Sequence, residues 1–488
     1  MLKARFTFVL MLIALVAALA FSPALAQDDV PVITIYNNSG TLQFDSGGSN
    51  PDVLEEVTQY IVDAVGVRPE VIVPPGGSAT EEKLNLLLGS SDPLDLFQAG
   101  RWTDYREAII PLNDLLDEYG DNLLSVIPEA QWGKCTDTEG NIMCIPRSTP
   151  TSPYIMWVRQ DWLNELGLEV PTTVEEFEAT IAAFQEAKPD SFIATRPGDY
   201  HWASVGGWTE YGYSNWVDED GTMKPWILQP GVVDWVAKMN EWWNNGWFYA
   251  DTFTSFEEPE LFRTCNIGAW MGWYSRVTLI TPQVESACEG IEWVRTSITG
   301  PEGYLATVRP QNTSGYVVTR KSQHPEAVIQ FMNWVYDDEG VENQLVARYG
   351  IPERDWWFVD EENNVVDRDP DSGFVSEFMM PNLNIEVRYS VMDPARAWHL
   401  EYLAGELQYL DDAKMPVDAP YAFDETRIAD EVPGLGDINR LMDEQLILFV
   451  TGARPLDQWD SFLEDLNRAG MQDYIDALTT QYNEFTGM

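Results

Sequence analysis

The stretch VPVITIYNNSG (residues 30–40) decides how the chain begins to fold, because a β-branched run ending in a polar turn reads as a strand. PEVIVPP (69–75) and PLDLFQAG (93–100) read the same way. Two helices separate them. Asn50-Pro51 opens the first, running to about Gly66, with Asn as cap and Pro in the first turn. Ser78-Ala79-Thr80-Glu81 is a capping box, and EKLNLLLGSS (82–91) carries the second. Strand, helix, strand, helix, strand at this spacing requires crossovers, and therefore a parallel sheet. Ligands of such sheets sit at the carboxyl ends of the strands. That places Asn37, Asn38 and Ser39 at a mouth together with Gln98, Arg101 and Trp102.

The pattern of alternating elements continues. SPYIMWVRQ (152–160) and SGYVVTR (314–320) read as strands. VPTTVEEFEATIAAFQEA (170–187), with a capping box of Thr173 and Glu176, reads as a helix, as do GVVDWVAKMNEWWNNGW (231–247) and HPEAVIQFMNWVYDDEG (324–340). DWWFVDEENNVVDRD (355–369) has the look of a hairpin, and the remainder is mainly helical. At 488 residues the chain exceeds the size of one hydrophobic core, so two domains are expected. The fold class is α/β, and no internal repeat or low-complexity tract interrupts it.

Residues 1–26 carry the pattern of a secretory signal. Lys3 and Arg5 form its basic start, an apolar run extends from Phe6 to Phe21, and Ala24-Leu25-Ala26 offers a small-residue cleavage site. Cleavage after Ala26 is expected to leave Gln27 at the new terminus; an uncleaved membrane anchor is the competing reading. No cysteine lies near the site, so a lipoprotein anchor is not expected. No later stretch is long and apolar enough to span a bilayer.

The net charge is −50, and −52 once Lys3 and Arg5 are removed, since residues 1–26 contain no acid. Such a charge argues against nucleic acid or an anionic membrane as partner and, less strongly, against an anionic ligand. The four cysteines follow a signal peptide and are even in number, which points to disulfides; three pairings are possible. Spacing favours Cys135–Cys144 across TDTEGNIM and Cys265–Cys288 across a longer loop. Zinc is disfavoured, with no CxxC pair and only three histidines. DRDPDSGF (367–374) has acids at alternate positions, but its glycine and Glu377 are misplaced for an EF-hand. A solvated turn is expected there, with no metal and no cofactor.

Aromatic residues cluster beside glycine in GAWMGWYSR (268–276), HWASVGGWTEYGYSNW (201–216) and NEWWNNGWFY (240–249). The clusters show neither strand nor helix periodicity, so they read as flat rings carried on turns. Sugar rings present slightly positive C–H faces that stack on the negative face of an aromatic ring, and edge hydroxyls need in-plane polar partners. Trp270, Trp273 and Tyr274 are expected as platforms, with Ser275 and Arg276 at the edge. Trp208, Tyr211 and Tyr213 would form a second platform, and Trp398 with Arg396 a third. Trp235, Trp242 and Trp334 fall at helical positions and are expected in the core.

Several ordered stretches resemble the extracellular solute-binding proteins of ABC importers, in the sugar-binding branch called family 1. They are KLNLLLGSSDPLDLF (83–97), VRQDWLNELGLEVPTTVEEFEATIAAF (158–184), EWWNNGWFYADTF (241–253), ITGPEGY (298–304), SGYVVTRKSQHPEAVIQFMNWVYDDEG (314–340) and YGIPERDWW (349–357). The resemblance implies a fold of the periplasmic-binding-protein type II kind, with two α/β lobes and a ligand cleft between them. It implies an oligosaccharide ligand, delivery to membrane permease subunits, and no chemistry. The lobes are expected to comprise residues 27–150 with about 311–360, and 151–310 with about 361–488. A freely soluble monomer in a periplasmic or extracellular space is expected. The rival reading is a secreted glycoside hydrolase or lyase, which needs a placed carboxylate pair; 79 acids single out none. A peptide-binding surface protein is a third reading, but stalks and repeats are missing.

Overall fold

The computed structural model describes residues 30–37, 48–74, 79–127, 129–147, 154–254, 257–273, 276–284, 286–306, 314–337, 341–362, 365–369, 371–375, 378 and 414–488. The signal segment 1–26 and the expected site residues Asn38, Tyr274 and Trp398 lie outside them. The strands, in chain order, are β1 (Val32–Tyr36), β2 (Arg68–Ile72), β3 (Leu96–Ala99), β4 (Ile145–Pro146), β5 (Tyr154–Arg159), β6 (Phe192–Thr195), β7 (Trp216–Val217), β8 (Met223–Lys224), β9 (Ile267–Trp273), β10 (Trp293–Thr296), β11 (Gly315–Val318), β12 (Trp356–Asp360) and β13 (Val365–Arg368).

Two sheets organise two lobes. The first has the order β2-β1-β3-β11-β4. β1 pairs in parallel with both β2 and β3, as the strand–helix–strand spacing predicts, and β11 returns antiparallel beside β3. The crossover helix Pro51–Val65 is capped by Asn50, whose side chain accepts from the Asp52 N–H, and it ends on Gly66 in the left-handed region. Helix Pro325–Val335 buries Val328, Phe331 and Met332 in the same core. The second sheet has the order β10-β5-β9-β6, with β6 parallel to β9 and the other pairs antiparallel. Helix Val174–Ala187 carries the Thr173–Glu176 capping box and packs Phe177, Ile181 and Phe184 inward.

The chain passes from the first sheet to the second between β4 and β5, and returns between β10 and β11. The hairpin β12–β13 follows, and Val366, Phe374 and Phe378 pack in the core of the first sheet. Phe378 meets Phe331 at 6.3 Å, so this part of the chain packs beside the first sheet's helix Pro325–Val335. From residue 414 onward the chain packs mainly on the second core, through Ile428, Ile438, Leu446, Phe449, Phe462 and Leu478. Disulfides join Cys135 to Cys144 and Cys265 to Cys288, with Cα–Cα separations of 4.9 and 5.5 Å. Among the described residues no helix is long and apolar enough to cross a membrane.

Candidate functional site

β6 and β9 run parallel, so their carboxyl ends lie together, and β5 begins beside them because it is antiparallel to β9. Trp273 closes β9 and is 36% exposed, whereas Trp270 is fully buried three residues earlier. The Trp273 ring meets Tyr154, its partner across the β5–β9 pair, edge-on at 5.5 Å. Beside it four charged side chains gather. Arg196 pairs with Glu258, and Arg276 Nε lies 3.8 Å from Glu258 Oε1. Both arginine side chains are about one-third exposed (37% and 35%), while that of Glu258 is 10% exposed.

Asp199 completes the group, accepting a hydrogen bond from the backbone N–H of Trp273. Burial pushes its carboxyl up to about 6, with Arg196 and that N–H acting in the opposite direction. Gly272 permits the approach: a Cβ there would stand 2.9 Å from Asp199 Oδ2. The cluster holds two cations against two acids, so it carries an exposed ring and polar edges without a strong net charge.

At the junction of the lobes a cavity of about 290 Å³ opens between Arg101, Trp102 and Lys134 of the first lobe and Tyr213 and Trp226 of the second. The segment around Asp418 and Tyr421 also lines it, as do Asn439, Met442 and Tyr474. Lys134 reaches across, donating from Nζ to the carbonyls of Asp418 (2.8 Å) and Tyr421 (2.6 Å). Burial pushes its ammonium down to about 8, although Asp418 and Glu425 favour the charged form. Gly133 allows this contact, since a Cβ would meet the Pro420 carbonyl oxygen at 2.4 Å. Tyr213 stacks on His201 at 4.4 Å, and burial pushes that imidazole down to about 3, so it stays neutral.

The expected site residues separate on this geometry. Trp273 ends β9, and Arg276 opens the helix Arg276–Val284 and reaches toward Glu258. Trp270 is corrected to core: it packs against Phe262 at 5.3 Å in a strand whose two faces are both covered. Double coverage also explains why residues 268–273 lack an alternating pattern and form a strand, not a turn. Trp208 is buried in the core of the second lobe and is likewise no platform. Trp102 is 1% exposed and donates its indole N–H to the Lys134 carbonyl, so it offers no open ring. Tyr211 is half-buried, its N–H held by Gln229. Arg101 is exposed, pairs with Asp104 at 3.1 Å and lines the junction cavity. Asp199, Glu258, Tyr154, Trp226 and Lys134 escaped the sequence reading. One acid among 79, or one lysine beside a cysteine, carries no local signal of its role.

Comparison with known proteins decides the family. The model of the bacterial extracellular solute-binding proteins matches residues 47–342, more than half of the chain. The protein belongs to the bacterial extracellular solute-binding proteins. Within a shorter stretch, this solute-binding protein is 29% identical over 127 residues to the fructooligosaccharide ABC transporter substrate-binding protein FusA of Streptococcus pneumoniae. That match covers 22% of this chain and 24% of FusA, so it spans about a quarter of the relative's length. Among solved structures, the N-glycan transport solute-binding protein NgtS of the same species is similar with a TM-score of 0.69 at 17% identity. It covers 94% of this chain and 99% of NgtS. A human-milk-oligosaccharide (HMO) binding, ABC-transporter-associated solute-binding protein of Bifidobacterium longum infantis gives 0.66 at 14% identity, over 94% and 100%. At these identities the solved structures establish the fold: two α/β lobes of the periplasmic solute-binding kind.

Proposed function

We propose that this solute-binding protein captures a neutral oligosaccharide between its lobes and delivers it, unchanged, to the permease of an ABC importer. The observation that carries the reading is the Trp273 ring, exposed at a strand end beside two arginines, each about one-third exposed, whose charge is already balanced by Asp199 and Glu258. A sugar face would stack on the indole, and the guanidinium N–H groups would donate to its hydroxyls. Balanced charge inside the site and −50 on the whole chain both favour a ligand without carboxylates. The carbohydrate ligands of FusA and NgtS support the same class.

Arg101 would approach the ligand from the first lobe, and closure would follow from a ligand that bridges both lobes, a shift of population. Lobes of 27–150 with about 311–378, and 151–310 with the chain from about 414, are part of this proposal. So are secretion by the amino-terminal signal, the absence of a lipid anchor, a monomeric state and the absence of catalysis.

A thermal-shift panel of neutral and uronic-acid oligosaccharides tests the reading, with each bound sugar recovered and sized. A neutral chain at a hundred times its dissociation constant should add about 2.7 kcal/mol of stability and be recovered intact. A larger shift with uronic-acid chains at physiological salt would overturn the neutral class. A shortened product would move the protein to the hydrolases.

A further inference from the structure

The four charged side chains beside Trp273 are unequally bonded. Arg196 donates to Glu258 Oε2, which joins that pair. Arg276 is held more loosely: its Nε stands 3.8 Å from Glu258 Oε1, and among the described residues neither of these buried atoms has a hydrogen-bond partner. Asp199 Oδ2 is buried and accepts no hydrogen bond either. With Glu258 committed to Arg196, the charge that offsets Arg276 comes from Asp199, at a distance. Burial holds the Asp199 carboxyl up at about 6, so it is ionised at pH 7.5 and largely protonated at pH 5. Few other titratable groups face it. Tyr154 of β5 is pushed above its ordinary value, by burial first and by the Asp199 charge second, and His201 on the same short helix stays neutral. β9 contributes only the Trp273 N–H.

We propose that Asp199 is a specificity-determining residue of the Trp273 site, one that selects between uncharged sugars and uronic acids. Ionised, it completes the charge balance, and a carboxylate on the sugar meets no spare cation. Protonated, it leaves Arg276 one charge in excess beside an exposed indole, and a planar guanidinium presents paired N–H donors that match a carboxylate. The protein thus takes neutral chains at neutral pH and admits acidic chains on acidification. This rests on the carbohydrate reading above.

Wild type, Asp199→Asn and Arg276→Gln are titrated calorimetrically at pH 7.5 and pH 5, at physiological salt, where the field of the whole chain is largely screened. The probes are the trimers of glucose, mannose and galactose and the matching uronic-acid trimers, whose carboxyls, with a pKa of about 3.5 like that of an α-carboxyl, remain ionised at pH 5. The quantity read is the affinity for a uronic trimer divided by that for its neutral counterpart, which a merely structural defect would not move. In wild type this ratio should rise about tenfold between pH 7.5 and pH 5, the scale of one partly screened charge a few ångströms away. Asp199→Asn should show the raised ratio at both pH values, and Arg276→Gln the low ratio at both. Melting checks that the variants fold; Asp199→Ser and Arg276→Met stand in for one that does not. A wild-type ratio that ignores pH, or one that changes as much in either variant, overturns the switch and leaves the carbohydrate reading standing. Failure of every neutral trimer to bind wild type at pH 7.5 overturns both.

Discussion

Trp270 and Trp273 lie three residues apart on one strand, and burial alone divides their roles. Trp270 packs on Phe262 with no exposed surface, so Trp270→Ala should cost about 3–5 kcal/mol in chemical denaturation. Asp199 makes a prediction with a sign. Its folded pKa of about 6 lies above its unfolded value, so ionised Asp199 costs stability above pH 6, and the cost vanishes as pH falls toward 4. Asp199→Asn should therefore stabilise the protein at pH 7.5, by roughly 2 kcal/mol, and give no gain at pH 4, as read by denaturant melts at both values. The aromatic cluster was legible in the sequence as a place of interest. Which of its rings faces solvent was not, because a strand covered on both faces shows no alternation.

Elements were read more securely than residues wherever a local signal is complete. The Thr173–Glu176 box forms both of its reciprocal hydrogen bonds, and the helix behind it buries Phe177 and Phe184. Thr173→Ala should cost about 1 kcal/mol without altering sugar affinity, measured by melting and by titration of the same preparation. The parallel order of β1, β2 and β3 follows from crossover lengths that admit few alternatives. Cysteine spacing gave the two disulfides; reduction of the folded protein should lower stability by about 2–4 kcal/mol per bond. That Phe374 and Phe378 pack in the core of the first sheet was not legible, because nothing in a hairpin's sequence says which core its apolar face will meet.

The molecule is two lobes joined by a seam, and the seam was invisible to sequence. Lys134 lies 284 positions before Asp418, a separation no local pattern spans, yet it ties the lobes by donating to that residue's carbonyl. The two lobes themselves were legible through length and the order of resembling stretches. A site with balanced charge inside so acidic a protein should bind neutral sugars with little dependence on salt, since only charged partners feel the screened field. Titration of one neutral chain at low and high salt checks this; a steep salt dependence would mean that the ligand is charged. The most direct trial of the account is calorimetric titration of wild type and Trp273→Ala with the chain that gives the largest thermal shift. We expect the variant to melt with wild type and to lose about 1–3 kcal/mol of binding, the range for flat rings stacked on aromatic side chains. Undiminished affinity in Trp273→Ala would contradict the site.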